Sequence, residues 1–405
     1  MNYTFSDKIA NLKPSAIREI LKAPVDSETI SFAAGNPSPE SFPVEDLARI
    51  AADIFANSST KALQYGATDG YNPLRAEIAK RQREVFGIGR SVENGDKYND
   101  TTIIVSGGQQ GIELACKVFC NEGDTVICET PTFIGGLNSF RSLGANTIGV
   151  PLLDDGIDTD ALEETIKNNP RAKLLYLIPT FQNPAGITTS YEKRVKIYEI
   201  AKKYGIMILE DNPYGELRFR GEEIPTIKSM DTEGLVIYCS SFSKILSAGM
   251  RVGFVVAPDE VCSKMVVAKQ SEDVHTNLFF QMLCHRFMTE CDLDGHIAKI
   301  RELYRRKCDL MLGCLERELP EGFKFTRPDG GLFIWVTVSA GVDATAFLKA
   351  CVAEKVMLVP GATFNADTTA SSDSFRLNYS TPSDEQIVEG VARVGKVARS
   401  FVNKQ

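Results

Sequence analysis

The chain has 405 residues, 43% of them hydrophobic, enough for two or three ordinary domains around a sizeable buried core. Its 45 basic and 53 acidic residues give a net charge of −8, without the broad positive field that attracts a phosphate backbone, so no nucleic-acid partner is expected. Three histidines and ten scattered cysteines, with no CxxC pair and no recognised zinc spacing, argue for buried reduced thiols and against a metal site, while the charged N-terminus and the lack of any run of about 18 apolar residues argue against a membrane and for the cytoplasm.

Taken in chain order, residues 1–50 carry too little apolar content to fold alone and are expected to dock on the C-terminal domain or on a partner subunit. Residues 51–290 alternate short apolar runs with helical patterns, the signature of an α/β domain with a mainly parallel, helix-covered sheet. TTIIV (101–105), TVICE (125–129), KLLYLIP (173–179), IMILED (206–211), LVIYCSS (235–241) and RVGFVVA (251–257) lack polar alternation and read as strands buried on both faces. GQQGIELACKVFC and SYEKRVKIYEIAKKYG read as helices, the second with a serine start and a glycine stop. From 291 to 405 the pattern becomes a long charged helix (296–319), then FKFTRPDGGLFIWVTV as paired strands, a helix, VMLVPG, SFRLNYS and a final helix, a smaller α+β domain.

Five stretches could carry chemistry. SGGQQGIEL (106–114) places two glycines between a strand and a helix, where free backbone N–H groups and the helix dipole suit an anion; a tight turn without a ligand reads equally well. PTFQNPAG (179–186) follows a strand at its carboxyl end, where open α/β sheets place ligands, and Asn183 could donate there, although Asn-Pro and Ala-Gly also simply make turns. In IMILEDNPYGEL, Asp211 ends an apolar strand and needs a partner if buried. A pyridinium nitrogen would be one; a capping role is the alternative. SSFSKILSAGMRVGF (240–254) sets Lys244 just after a buried strand, seven residues before Arg251, with Ser241 and Ser243 beside it; a dry, cation-rich setting favours an imine-forming amine. In SFRLNYS, Arg376 lies within a strand, and its planar guanidinium could clamp a carboxylate or sit on an exposed edge.

In this order the stretches resemble fold type I pyridoxal-phosphate enzymes of the class I/II aminotransferase family, from FAAGNPSPESFP near residue 32 to the end of the chain. SAIREILK, LQYGATDGYNPLR and GGQQGIEL are similar to the subgroup of 2-aminoadipate and kynurenine aminotransferases. The resemblance implies a mainly parallel seven-stranded sheet, and pyridoxal 5′-phosphate held as a Schiff base on Lys244. It implies Asp211 on the pyridine nitrogen, Asn183 and Tyr214 on the phenolic oxygen, and Phe133 stacked on the ring. Gly108 and Gln109 N–H groups, Ser241, Ser243 and Arg251 would hold the phosphate. Tyr65 would reach that phosphate from the second subunit of a homodimer. Arg376, with Gly35 and Asn183 nearby, would bind the substrate carboxylate. Many relatives have Gly-Ser-Gln where this chain has Gly107-Gly108-Gln109, which removes one hydroxyl contact.

The implied reaction moves an amino group from an L-amino acid to a 2-oxo acid, commonly 2-oxoglutarate, in a ping-pong cycle. The cofactor motifs alone also admit a β-lyase, a decarboxylase or a non-catalytic amino acid sensor. Arg18 could meet a second substrate carboxylate or be a solvated helix residue, and Tyr3, Phe5, Tyr71 and Phe279 are candidates for a side-chain pocket.

Overall fold

The computed structural model describes residues 3–10, 12 and 28–402. The strands in chain order are β1 (Ile30–Ser31), β2 (Asp100–Val105), β3 (Thr125–Thr130), β4 (Asn146–Leu153), β5 (Gly156–Ile157), β6 (Ala172–Leu177) and β7 (Met207–Asp211). They continue with β8 (Val236–Ser241), β9 (Gly253–Pro258), β10 (Lys324–Phe325), β11 (Phe333–Thr337), β12 (Val356–Met357), β13 (Val359–Pro360) and β14 (Ser374–Asn378).

The large sheet runs β2-β9-β8-β7-β6-β3-β4-β5. β3, β4, β6, β7 and β8 are parallel, and β9 is antiparallel to both β2 and β8. The seven expected strands are therefore present, with the two-residue β5 folded back on the edge. Helices cover both faces. Val126 and Cys128 belong to one apolar cluster and Ile127 to another on the opposite face, which is why TVICE shows no polar alternation.

The sequence pattern does not reveal β4. It is the sheet's edge on this side apart from β5, all its residues but Val150 are half-buried or exposed, and it contains Gly149 and Pro151, all of which blur a strand pattern. Gly149 has a reason to be there: a Cβ would come within 2.6 Å of the Thr130 Cβ and 3.0 Å of Ala366. The helix Tyr191–Tyr204 starts at Ser190, whose hydroxyl accepts from the Lys193 N–H, and stops at Gly205 in the left-handed region.

In the C-terminal part, β10-β11-β14-β13 form an antiparallel sheet in which Trp335 faces Arg376. The long helix Leu293–Glu318 and the final helix Asp384–Val402 pack beside each other. β1 pairs in parallel with β12, so the segment after residue 28 joins this region before entering the helix Val44–Leu63. That helix lies on the helix Leu278–Glu290. Segment 32–38 thus crosses between the two sheets, and the candidate site lies along it.

Candidate active site

The carboxyl ends of β2, β7 and β8 converge. After β2, Gly107 takes φ +78 and caps the helix Gly108–Phe119; a Cβ on it would come within 2.1 Å of the Arg251 guanidinium. Only glycine lets the arginine lie against this turn. Arg251, itself at φ +54, donates to the Ser106 carbonyl at 3.2 Å, the Ala248 carbonyl at 3.2 Å and the Ser243 hydroxyl at 3.5 Å. Ser243 and Ser241 share a hydrogen bond of 2.7 Å. Guanidinium, two hydroxyls and the first N–H groups of a helix, which have no partner within the helix, form an anion cup. The Gln109 side chain turns away from it, donating to Gly135 O at 2.9 Å and Ser139 Oγ at 2.7 Å; Phe133, next to that corner, caps the helix Ile134–Ser142.

Asp211 ends β7 and is buried, and burial lifts its carboxyl from the usual acid range to about 7 even though the Tyr176 hydroxyl donates to it at 2.8 Å. Lys244 is partly buried after β8, and its Nζ donates to the Gly35 carbonyl at 2.7 Å. Burial, with Arg376 and Arg251 as like charges, lowers its ammonium to about 8.

Arg376 is 2% exposed. It donates to Asn183 Oδ1 at 2.8 Å and to the Ala33 carbonyl at 2.7 Å, while its Nε is buried with no hydrogen-bond partner among the described residues. Two rings flank the guanidinium, Phe333 at 4.1 Å and Phe364 at 5.1 Å. Asn183 Nδ2 points to the Tyr214 hydroxyl at 3.5 Å, and Tyr214 meets Phe333 edge-on at 5.9 Å.

The structure therefore brings together Lys244, Asp211, Asn183, Tyr214, Arg376 and Gly35, with Gly108, Gln109, Ser241, Ser243 and Arg251 at the cup. Tyr65 stands apart: it is 79% exposed and edge-on to His275 at 5.7 Å. Arg18 lies outside the described residues. Sequence reasoning missed Tyr176, Phe333, Phe364 and the Ala33 carbonyl. Only Tyr176 left a signal, as the one hydroxyl in an apolar strand adjacent to the strand that Asp211 ends. Among the described residues no cluster of metal-ligating side chains occurs, and no helix is long and apolar enough to cross a membrane.

Pyridoxal phosphate fits these groups. The cup opposes its phosphate with a cation and a glycine that a Cβ would fill; Asp211 is a buried carboxyl for which no cation appears within ion-pair distance among the described residues; Lys244 is a desolvated amine. Fold and site together define a fold type I pyridoxal-phosphate enzyme. The chain belongs to the family "aminotransferase class I and II", whose pattern matches residues 27–394. It is 40% identical to an aromatic-amino-acid aminotransferase of Thermococcus litoralis over 404 residues, covering 99% of this chain and 95% of that one. A multiple substrate aminotransferase from Thermococcus profundus superposes with a TM-score of 0.93 at 38% identity, covering 99% of this chain and 98% of the other. The α-aminoadipate aminotransferase LysN from Thermus thermophilus, complexed with N-(5′-phosphopyridoxyl)-L-leucine, superposes with a TM-score of 0.88 at 37% identity, covering 99% and 98%. The protein is a pyridoxal-phosphate-dependent aminotransferase, acting on amino and oxo acids.

Proposed function

We propose that the donor is an L-amino acid of the aromatic or 2-aminoadipate type and the acceptor 2-oxoglutarate, with both half-reactions in the cleft between Lys244 and Arg376. The donor type follows the names of the aromatic-amino-acid and 2-aminoadipate relatives; the observation that carries the cleft as the place of reaction is the pairing of two desolvated cations on carbonyls two residues apart, Lys244 on Gly35 and Arg376 on Ala33. A substrate carboxylate is a better partner for Arg376 than a neutral carbonyl, and its exchange for Ala33 leaves the substrate Cα on the Lys244 side. Bound pyridoxal phosphate supplies the electron sink that makes the Cα hydrogen acidic, with Asp211 holding its ring nitrogen and Asn183 and Tyr214 its phenolic oxygen. The lowered basicity of Lys244 raises the share of its Nζ present as free amine near neutral pH, the form that can take the proton from Cα. Phe133, Gly108, Gln109, Ser241, Ser243 and Arg251 hold the ring and phosphate. Because one site serves both half-reactions, the amino group stays on the enzyme between them, a ping-pong order.

Tyr65 belongs in this reading to the site of a second copy, which makes the protein a homodimer, and the exposure of Phe55, Leu63 and Tyr65 together supports that pairing; the same reading puts the homodimer in the cytoplasm. In the same reading the chain divides into residues 1–50, 51–290 and 291–405, with the helix Val44–Leu63 favouring a first boundary near residue 43. Lys244→Ala tests the core of the proposal. Glutamate or 2-aminoadipate alone should release oxo acid stoichiometric with wild-type sites. The variant should do so at least about 10³-fold more slowly. Release at the wild-type rate would remove Lys244 from the mechanism.

A further inference from the structure

Asp211 has two oxygens with different surroundings. Oδ2 accepts from the Tyr176 hydroxyl at 2.8 Å, whereas Oδ1 faces the phosphate turn, 4.0 Å from where a Cβ on Gly108 would stand. Tyr176 lies on β6, fully buried, in register with Leu209, two residues before Asp211 on the same face of β7. Its ring has little room to turn. Phe140 meets it edge-on at 5.3 Å, and a Cβ on Gly136 would come within 2.8 Å of it. The hydroxyl is thus delivered to one carboxylate oxygen by a rigid strand and a packed ring.

The other titratable groups around Asp211 do not favour its charge. Glu129 on β3, itself lifted to about 7, is neutral below that pH and a like charge above it, and the Cys239 thiol on β8 and the Tyr214 hydroxyl supply no cation. The Gly108–Phe119 helix presents its N-terminus toward it, and Tyr176 is the one side chain among the described residues that hydrogen-bonds the carboxylate.

We propose that Tyr176 is a positioning residue for the transamination: it fixes the Asp211 carboxylate, aims Oδ1 at the cofactor's ring nitrogen and favours the charged form of the group before that nitrogen arrives. This rests on the reading of Asp211 as the partner of the ring nitrogen. A hydroxyl donor stabilises the carboxylate form over the neutral acid, which offsets part of the cost of burial. Without it, the carboxyl would hold its proton to higher pH and would meet the cofactor uncharged.

The test is a titration of cofactor-free protein with pyridoxamine 5′-phosphate, which needs no lysine linkage, from about pH 6 to about pH 9. Wild type, Tyr176→Phe, Asp211→Asn and the double variant are compared. Wild-type affinity should weaken as pH falls through the titration of Asp211. In Tyr176→Phe the weakening should begin at higher pH, with affinity about tenfold lower at pH 7 and convergence on the wild type at the alkaline end. In the Asp211→Asn background the same change should alter affinity less than about twofold. Superposable profiles for wild type and Tyr176→Phe would overturn the proposal, as would a loss equal at every pH and undiminished in the Asp211→Asn background. Failure of the wild type to bind pyridoxamine phosphate would instead overturn the cofactor assignment of Asp211 itself. Should Tyr176→Phe not fold, 3-fluorotyrosine at 176, a stronger donor of nearly the same shape, should move the wild-type edge to lower pH; an unmoved edge would refute the role.

Discussion

Two of the regions in which this molecule buries cations do so in opposite ways. Under the loop that follows β6, Arg194 is fully buried and donates five hydrogen bonds, to the Thr189, Ile224, Pro225 and Pro179 carbonyls and the Thr180 hydroxyl. Nearby, Lys228 lies between Asp100 at 2.8 Å and Asp231 at 3.1 Å. In the cleft, Arg376 keeps an unpartnered Nε, and among the described residues neither it nor Lys244 has a carboxylate within ion-pair distance. Burial lowers both guanidinium groups to about 10, so both stay charged at neutral pH. What separates them is satisfaction. With every donor met, Arg194 holds loops together; Arg376, in the open cleft with a donor left over, can still take an acceptor that arrives later.

That contrast can be broken. Replacing Arg194 with Met would strand five acceptors and should cost at least about 4 kcal/mol of stability, read by urea unfolding, while activity per folded molecule changes little. Equal loss of activity in the folded fraction would erase the distinction. Arg376→Gln should do the reverse: kcat/KM for amino acid donors falls about 10²–10³-fold, near 3–4 kcal/mol, with stability within about 1 kcal/mol of wild type. A strongly destabilised variant with normal kcat/KM would show Arg376 to be structural.

The smallest effect concerns an acid. Burial lifts Glu129 from 4.5 to about 7, with only the Ile178 N–H and the Gln182 amide donating to it among the described residues. Its folded form therefore holds a proton that the unfolded chain gives up, and stability is lost as pH rises from about 4.5 to about 7, without recovery above. Glu129→Gln, neutral throughout, should escape this loss, so its stability relative to wild type should rise by on the order of 2–3 kcal/mol between pH 5 and pH 8. A difference that does not vary with pH would mean that Glu129 is charged in the fold.

The large sheet was legible because burial on both faces writes itself as unbroken apolar runs, and the helix Tyr191–Tyr204 because Ser190 and Gly205 bracket it. β4 was not, since an edge strand with Gly149 and Pro151 carries neither period. The groups gathered at the site were read from motif order rather than from any one motif: Lys244, Asp211 and Arg376 are each ambiguous alone. Phe364 could not be found that way. It follows β13 in a short turn, and its closeness to Arg376 depends on how that turn packs, which local sequence does not encode. Tyr65 stands apart from these groups within one chain, and Arg18 lies outside the described residues.

Segment 32–38 serves the site with its backbone. The Phe32 carbonyl receives the Asn378 N–H, Ala33 receives Arg376, Gly35 receives Lys244, and Asn36 receives Ser380 and Thr381. Alanine scanning passes over such a device, for two of its residues are alanine already and the working atoms belong to no side chain. What the segment encodes is a spacing. Its information is the count of peptide units between residues 33 and 35, and removing one would uncouple the two cations without deleting a single functional group.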